Sequence, residues 1–474
     1  MASRQDELQS YQFTMQRVVA ALVARDTDPL RSPSRRLAGA SLASVLVAVL
    51  SLAAVAVYGV IVPGGGTSWR DSGAVIVERE SGARYVYLDN RLHPVLNYAS
   101  ALLILQSDAP RTVRVPRASL AGVPRGVPLG IPGAPDSLPD PTRLLGTPWT
   151  VCSEPAPDRP RSLLWIGGTP PGGQRLDERG LLVEDGLGSV YLVWHRHRHL
   201  VRDPAVVLTA LGWRTAPRVR VAAALVNALP AGPDLARLAP AIARLGRPST
   251  VARARIGQVF VVQTPGGEPQ YAVALADGLA PISQVQADLL LADPDTARLL
   301  RQDRATPLPP GEYAVAPVSA TGLPDPGARV ASDVALPAGT PALVGSAATQ
   351  QATCAVVGDP AGVADVLLGV PVGEAPTALP TGGAAGAVLA DRVVVPPGGG
   401  ALVEAAAGPG AQGGTLSLVT DLGIRYPVPN RQVLAMLGFP DARPVRVPAG
   451  LVTLLPVGRT LDPDTARRPA SISG

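Results

Sequence analysis

The sequence predicts an α+β fold. One N-terminal transmembrane helix precedes an elongated extracytoplasmic domain of four small α+β repeats around a central β domain, in pseudo-two-fold order. Three observations predict it. Residues 37–62 form an apolar run of 26 residues without a charge. The pattern Val-Arg-Val, eight residues, Pro-x-Gly occurs three times with identical spacing, at 113–126, 219–232 and 445–458. Between the copies lie short runs such as 147–152, 162–166, 354–357 and 393–395 that read as β-strands.

The first element is the N-terminal segment, residues 1–36. Leu8, Tyr11, Met15, Val18, Val19 and Leu22 recur at three- and four-residue steps, which predicts a helix with one apolar face. Ser3 with Glu7 starts it and Asp28-Pro29 stops it. Its polar face is not strongly basic, so partner docking through Leu8, Tyr11, Met15, Val18 and Leu22 fits better than binding to a membrane surface.

The second element, residues 37–62, is long enough to cross a bilayer core of about 30 Å. A cleaved signal peptide would have a shorter apolar core nearer the start, whereas 36 mostly polar residues come first here. Arg31, Arg35 and Arg36 precede the run, while its far side has only Arg70, balanced by Asp71. Positive flanks stay cytoplasmic. A single-pass plasma-membrane protein is therefore expected, with residues 1–36 cytoplasmic and the large C-terminal domain outside.

The repeats come next. Tyr85 and Tyr191 each stand 28 residues before their Val-Arg-Val, and a degenerate copy begins at Tyr271. Each copy combines an alternating stretch, a turn, an apolar helix-like run and the Val-Arg-Val strand. Periodic units of this kind stack or surround a core. The expected division is 63–127 for a linker and repeat one, 128–180 for the first part of the central domain, and 181–240 for repeat two. Repeat three takes 241–312, the second central part 313–414, and repeat four with the C-terminal tail 415–474. Residues 313–318 and 342–344 read as further core strands, and 382–386 and 398–414 as mobile loops.

Composition limits the chemistry. All 42 basic residues are arginine. A P-loop needs a lysine on the β/γ phosphates, so none can form. A net charge of +5 spread over 474 residues gives no basic face for nucleic acid. His195, His197 and His199 alternate with arginines at strand spacing and would span roughly 13 Å. That is too wide for one ion, so they read as a solvated basic rim. Asp71-Ser72-Gly73 resembles half of an aspartic protease site, but the second half is missing. No Gly-x-Ser-x-Gly or His-Glu-x-x-His motif occurs. No catalytic, metal or cofactor residue is expected.

The chain resembles the EccB family of actinobacterial type VII (ESX) secretion systems. The likeness is carried by SRQDELQSYQFTMQRVVAALVARDTDP, RYVYLDNRLHPVLNYASALLIL, PRGVPLGIPGAPDSLPDP with PWTVC, and YPVPNRQVLAMLGF with VPAGLVTLLPVGRTLDPDTA. It runs nearly end to end and is looser over residues 210–420. The resemblance implies a structural core subunit of the membrane complex that exports WXG-type and PE/PPE proteins. It also implies the partners EccC, EccD and EccE, and other EccB copies. Some family members carry an ATPase label, which the absence of lysine does not support here. The repeats are also similar to cell-wall-binding modules of phage lysins, which makes peptidoglycan a second possible partner. An enzyme of the same complex, acting on ATP or on the cell wall, is the alternative reading.

Two cysteines, Cys152 and Cys354, remain. Outside the cytoplasm such a pair reads as one bridge, with two buried free thiols as the alternative. Their positions in the two parts of the central domain favour the bridge.

Overall fold

The computed structural model describes residues 4–24, 33–61, 67–70, 73–107, 109–323, 336–345, 350–359, 362–372, 378–380, 388–408 and 411–470. They fall into two compact units. One comprises Met1–Asp71, Ile76–Ala83 and Val113–Pro124, and the other comprises Ser72–Val75, Arg84–Thr112 and Arg125–Gly474. The N-terminal helices are Arg4–Ala24 and Pro33–Ile61.

Four four-stranded sheets share one order: third strand, second, first, fourth. Their strands are Ala74–Glu78, Arg84–Leu88, Arg91–Pro94 and Arg111–Val115 in the first, then Leu181–Glu184, Val190–Trp194, His197–Leu200 and Val219–Arg220 in the second. The third uses Val259–Val262, Gln270–Ala274, Leu279–Ile282 and Thr306–Pro307, and the fourth Ala401–Ala406, Thr415–Val419, Arg425–Val428 and Val445–Pro448. A short helix follows the third strand each time: Tyr98–Leu105, Pro204–Ala210, Gln284–Leu291 and Arg431–Met436.

Local chemistry sets these boundaries. Asn97 and Asn430 cap their helices by accepting a hydrogen bond from the amide three residues on, and Ser283 with Gln286 closes a capping box. In the second, third and fourth sheets the fourth strand returns parallel to the first, as parallel pairing demands after a helical crossover. This register places Arg220 opposite Glu184 and Arg446 opposite Glu404.

The repeat motifs in the sequence start at Tyr85, Tyr191 and Tyr271 on second strands and at Tyr426 on a third strand, so no first strand is marked by them, although the bounds 181–240 and 241–312 enclose those of the second and third sheets. One consequence is a shifted boundary. Ala401–Ala406 pairs with Thr415–Val419 and Val445–Pro448, so it belongs to the fourth sheet. The sequence placed it in the central domain and in a mobile loop. A second correction concerns 313–318, read as a core strand. Pro310–Val315 is a helix, and Val318 bridges Leu279 of the third sheet. Of 342–344, only Leu343 makes a bridge, to Gly180. Residues 382–386, expected as a mobile loop, lie outside the described residues.

The central sheet has seven strands, in the order 378–380, 392–394, 161–165, 149–154, 352–359, 362–370 and 174–175. Its strands come from two distant stretches of chain. Trp149, Val151, Leu164, Ala355 and Val357 share one buried core with Val183 and Leu225 of the second repeat and with Val403, Val447 and Leu451 of the fourth. A second core joins repeats two and three through Leu192, Val207, Leu238, Val259 and Leu290. The C-terminal residues meet the first repeat, where the Arg467 guanidinium donates to the Ile104 carbonyl at 3.0 Å. The Ala470 amide likewise donates to the Pro128 carbonyl at 2.9 Å.

Candidate functional site

Gly39–Tyr58 is a 20-residue stretch of high mean hydropathy without a charge, and none of it is buried. At 1.5 Å per residue this covers about 30 Å, the thickness of a bilayer core. A helix apolar on every side and packed against nothing has hydrocarbon as its natural solvent. Arg35 and Arg36 lie in the first turn of the helix that carries this span. Arg31 lies outside the described residues.

The helix Arg4–Ala24 presents an unusual surface. Leu8, Tyr11, Met15, Val18, Val19 and Leu22 are all exposed, with Leu22 at 78% and Tyr11 at 68%. Residues three and four apart share a face, so the six form one contiguous stripe. Phe13, which the sequence reading did not single out, is exposed on the other side, with the Arg17 guanidinium 5.7 Å from its ring centroid.

The three histidines do not share a strand face, which corrects the sequence reading. His195 and Arg196 form a two-residue turn with φ of 45° and 66°, a type I′ hairpin geometry. The His195 ring stacks on Trp194 at 3.7 Å, and its Nε2 lies 2.5 Å from Glu178 Oε2. His197 Nδ1 sits 2.9 Å from the His195 carbonyl. His199 is fully buried, with Nδ1 2.9 Å from the Pro233 carbonyl. A solvated rim is therefore wrong for His199. Burial holds its imidazole below the usual histidine range. Neighbouring His197 and His195 act in the same direction, against the Pro233 carbonyl and Asp234.

The buried ring accounts for the Pro-x-Gly motif. A β-carbon on Gly232 would fall 2.5 Å from His199 Cε1, one on Gly126 2.2 Å from His93 Cε1, and one on Gly458 2.3 Å from Tyr426 Cε1. In repeats one, two and four an aromatic ring of the third strand occupies the space that a side chain would need. Repeat three lacks both partners. The Ser319 amide bonds the Leu279 carbonyl as the Gly126 amide bonds that of Leu92, and Ala280 follows where the ring would stand. The Glu/Arg pair is lost there too, because Val261 faces Pro307.

Around the His195 turn, Arg175, Asp177, Glu178, Arg196 and Asp365 line a polar cleft of about 230 Å³. Arg175 and Asp365 pair at 2.8 Å across it. Among the described residues no three His, Cys, Asp or Glu side chains converge as metal ligands.

Cys152 and Cys354 stand directly opposite each other on antiparallel strands and are joined by a disulfide. Both are fully buried, packed with Leu163, Ala352 and Val370. The bridge links the two stretches that build the central sheet. Beside it, Asp391 accepts bonds from the amide and hydroxyl of Ser162 and from Arg159. Burial raises the Asp391 pKa, but these donors outweigh it and leave the carboxyl below its usual range.

A family model described as type VII secretion system ESX-1, transport TM domain B, matches residues 1–470. The ESX-3 secretion system ATPase EccB3 of Mycolicibacterium smegmatis is 30% identical over 486 residues, covering 96% of this chain and 88% of that protein. The EccB3 protein of Mycobacterium tuberculosis is 31% identical over 499 residues, covering 96% and 87%. Among solved structures, a chain of an intact ESX-5 inner membrane complex aligns with TM-score 0.67 at 26% identity, over 100% of this chain and 96% of that one. The EccB3 dimer from the ESX-3 core complex aligns with TM-score 0.64 at 29% identity, over 83% and 100%.

Proposed function

The chain belongs to the EccB family of type VII secretion, and from that premise we propose that it is a structural core subunit of an ESX inner-membrane complex. The observation that carries this reading is the family match along essentially the whole chain, from the first helix to the C-terminal tail. The exposed apolar helix Pro33–Ile61 anchors the protein in the plasma membrane. Arg35 and Arg36, with Arg31 before them, keep the N-terminal helix cytoplasmic. The repeats and the disulfide-linked sheet form the extracytoplasmic part of the export machinery for WXG-type and PE/PPE-type proteins. EccC, EccD, EccE and other EccB copies are the proposed partners, with peptidoglycan a further one. The stripe from Leu8 to Leu22 docks on the cytoplasmic side of the complex.

Relatives carry the word ATPase in their names. A non-catalytic role fits this chain better, because it has no lysine for a P-loop. A reporter fused after Gly474 tests the orientation: activity only outside the cytoplasm is expected, and activity inside would overturn it. Crosslinking the purified complex with a photoreactive ATP analogue tests the catalytic alternative. Label on this subunit would restore it.

A further inference from the structure

We propose that the hairpin at residues 244–256 is a binding site for phosphate-bearing anions. The stretch 235–267 holds five arginines and no Asp or Glu. Arg237 is fully committed, donating to Asp293 at 2.9 and 3.0 Å and to Asp295 at 2.9 Å. Arg244, Arg247, Arg253 and Arg255 are all exposed. No ion pair among the described residues involves them.

The loop that carries these four is built, not loose. The Gly246 amide donates to the Ile256 carbonyl at 2.9 Å, Ile256 to Arg247 at 2.7 Å, and Ser249 to Ala254 at 3.0 Å. Val251, Ala254 and Ile256 point inward and are buried. Leu245 packs onto Gly257, where a β-carbon would fall 2.1 Å from Leu245 Cδ1. With the apolar residues inside, the arginines are left on the outer side. Arg244 and Arg253 take left-handed backbone, with φ of 60° and 61°. Strain of that kind persists only where the surroundings fix it.

Arg244, Arg247, Ser249 and Thr250 line one cleft of about 530 Å³, and no carboxylate lines it. One guanidinium fork satisfies a carboxylate, whereas two forks and a threonine hydroxyl suit the several oxygens of a phosphate group. No aromatic residue lines the cleft, so nucleic-acid bases have no surface on which to stack. The phosphate could belong to a soluble polymer or to a lipid headgroup.

Full-length protein in nanodiscs of neutral lipid would be titrated with inorganic polyphosphate. A flotation arm would use phosphatidic acid vesicles against phosphatidylcholine vesicles. Wild type is expected to bind at least one phosphate probe, more weakly as salt rises. Arg244→Gln with Arg247→Gln should weaken binding by about tenfold or more. Arg431→Gln with Arg443→Gln, the same charge loss in the fourth repeat, should leave binding within about twofold. Matching thermal melts would show that both variants fold. Binding of polyphosphate assigns the site to a soluble phosphopolymer, and binding only of anionic vesicles assigns it to headgroups. No binding by wild type, unchanged binding by the site variant, or equal loss in the control variant would each overturn the proposal.

Discussion

His199 fills the space that a side chain on Gly232 would need: a β-carbon there would come within 2.5 Å of the imidazole. Neither Gly232, Gly126 nor Gly458 has a positive φ, so close approach, and not backbone freedom, requires glycine. Gly232→Ala should lose about 1–3 kcal/mol through overpacking, read as a lower urea midpoint. Gly126→Ala should lose less, because His93 is half-exposed and its ring has room to move. Equal losses would show that ring burial does not set the effect.

His199 also makes stability depend on pH. The Pro233 carbonyl can only accept, so Nδ1 donates to it, and Nε2 is left buried without a partner. Burial, the largest cause, depresses the folded pKa, while the unfolded value is about 6.5. Stability is then full above about 6.5, and it falls as pH drops from there toward the folded value, because the unfolded chain takes the proton first. His199→Phe should flatten urea midpoints measured between about pH 5 and 8. An unchanged slope would place the titrating group elsewhere.

The disulfide closes a loop with a sequence separation of 202 residues. Chain entropy gives about 5 kcal/mol for a loop of that length. Cys354→Ser should lower stability by an amount of that order, and mass mapping without reductant should find one Cys152–Cys354 peptide. Two freely alkylated thiols in native protein would contradict the bridge.

Tyr11→Asp with Met15→Asp puts two charges on the exposed stripe of the first helix. Co-purification with the partner subunits should drop sharply while the large domain keeps its melting temperature. Unchanged co-purification would remove the docking role.

The sequence made the repeats legible wherever a strand carries its own signature. The helix caps at Asn97 and Asn430 and the Val-Arg-Val strands follow from local chemistry. The first strands did not, because Leu181–Glu184 and Ala401–Ala406 stand outside the repeated motif, and pairing with the second strand and, in parallel, with the distant fourth strand is what identifies them. Repeat three hid its end because Thr306-Pro307-Leu308 stands where the others have Val-Arg-Val. His199 was misread because strand alternation was extended through a turn that reverses the chain. The glycine at each Pro-x-Gly was visible as a motif, but its reason needed the ring across from it. The stripe from Leu8 to Leu22 and the membrane span were readable outright, since a helix's period and length are properties of the sequence itself.

The bond between Cys152 and Cys354 also fixes where tension travels. Repeats two and three lie entirely between these residues, inside a covalent ring. A pull between the membrane anchor and the C-terminal tail would cross from strand 149–154 to strand 352–359 through sulfur. That covalent path bypasses the backbone of the enclosed repeats, and a single backbone cut among them would leave anchor and tail still joined.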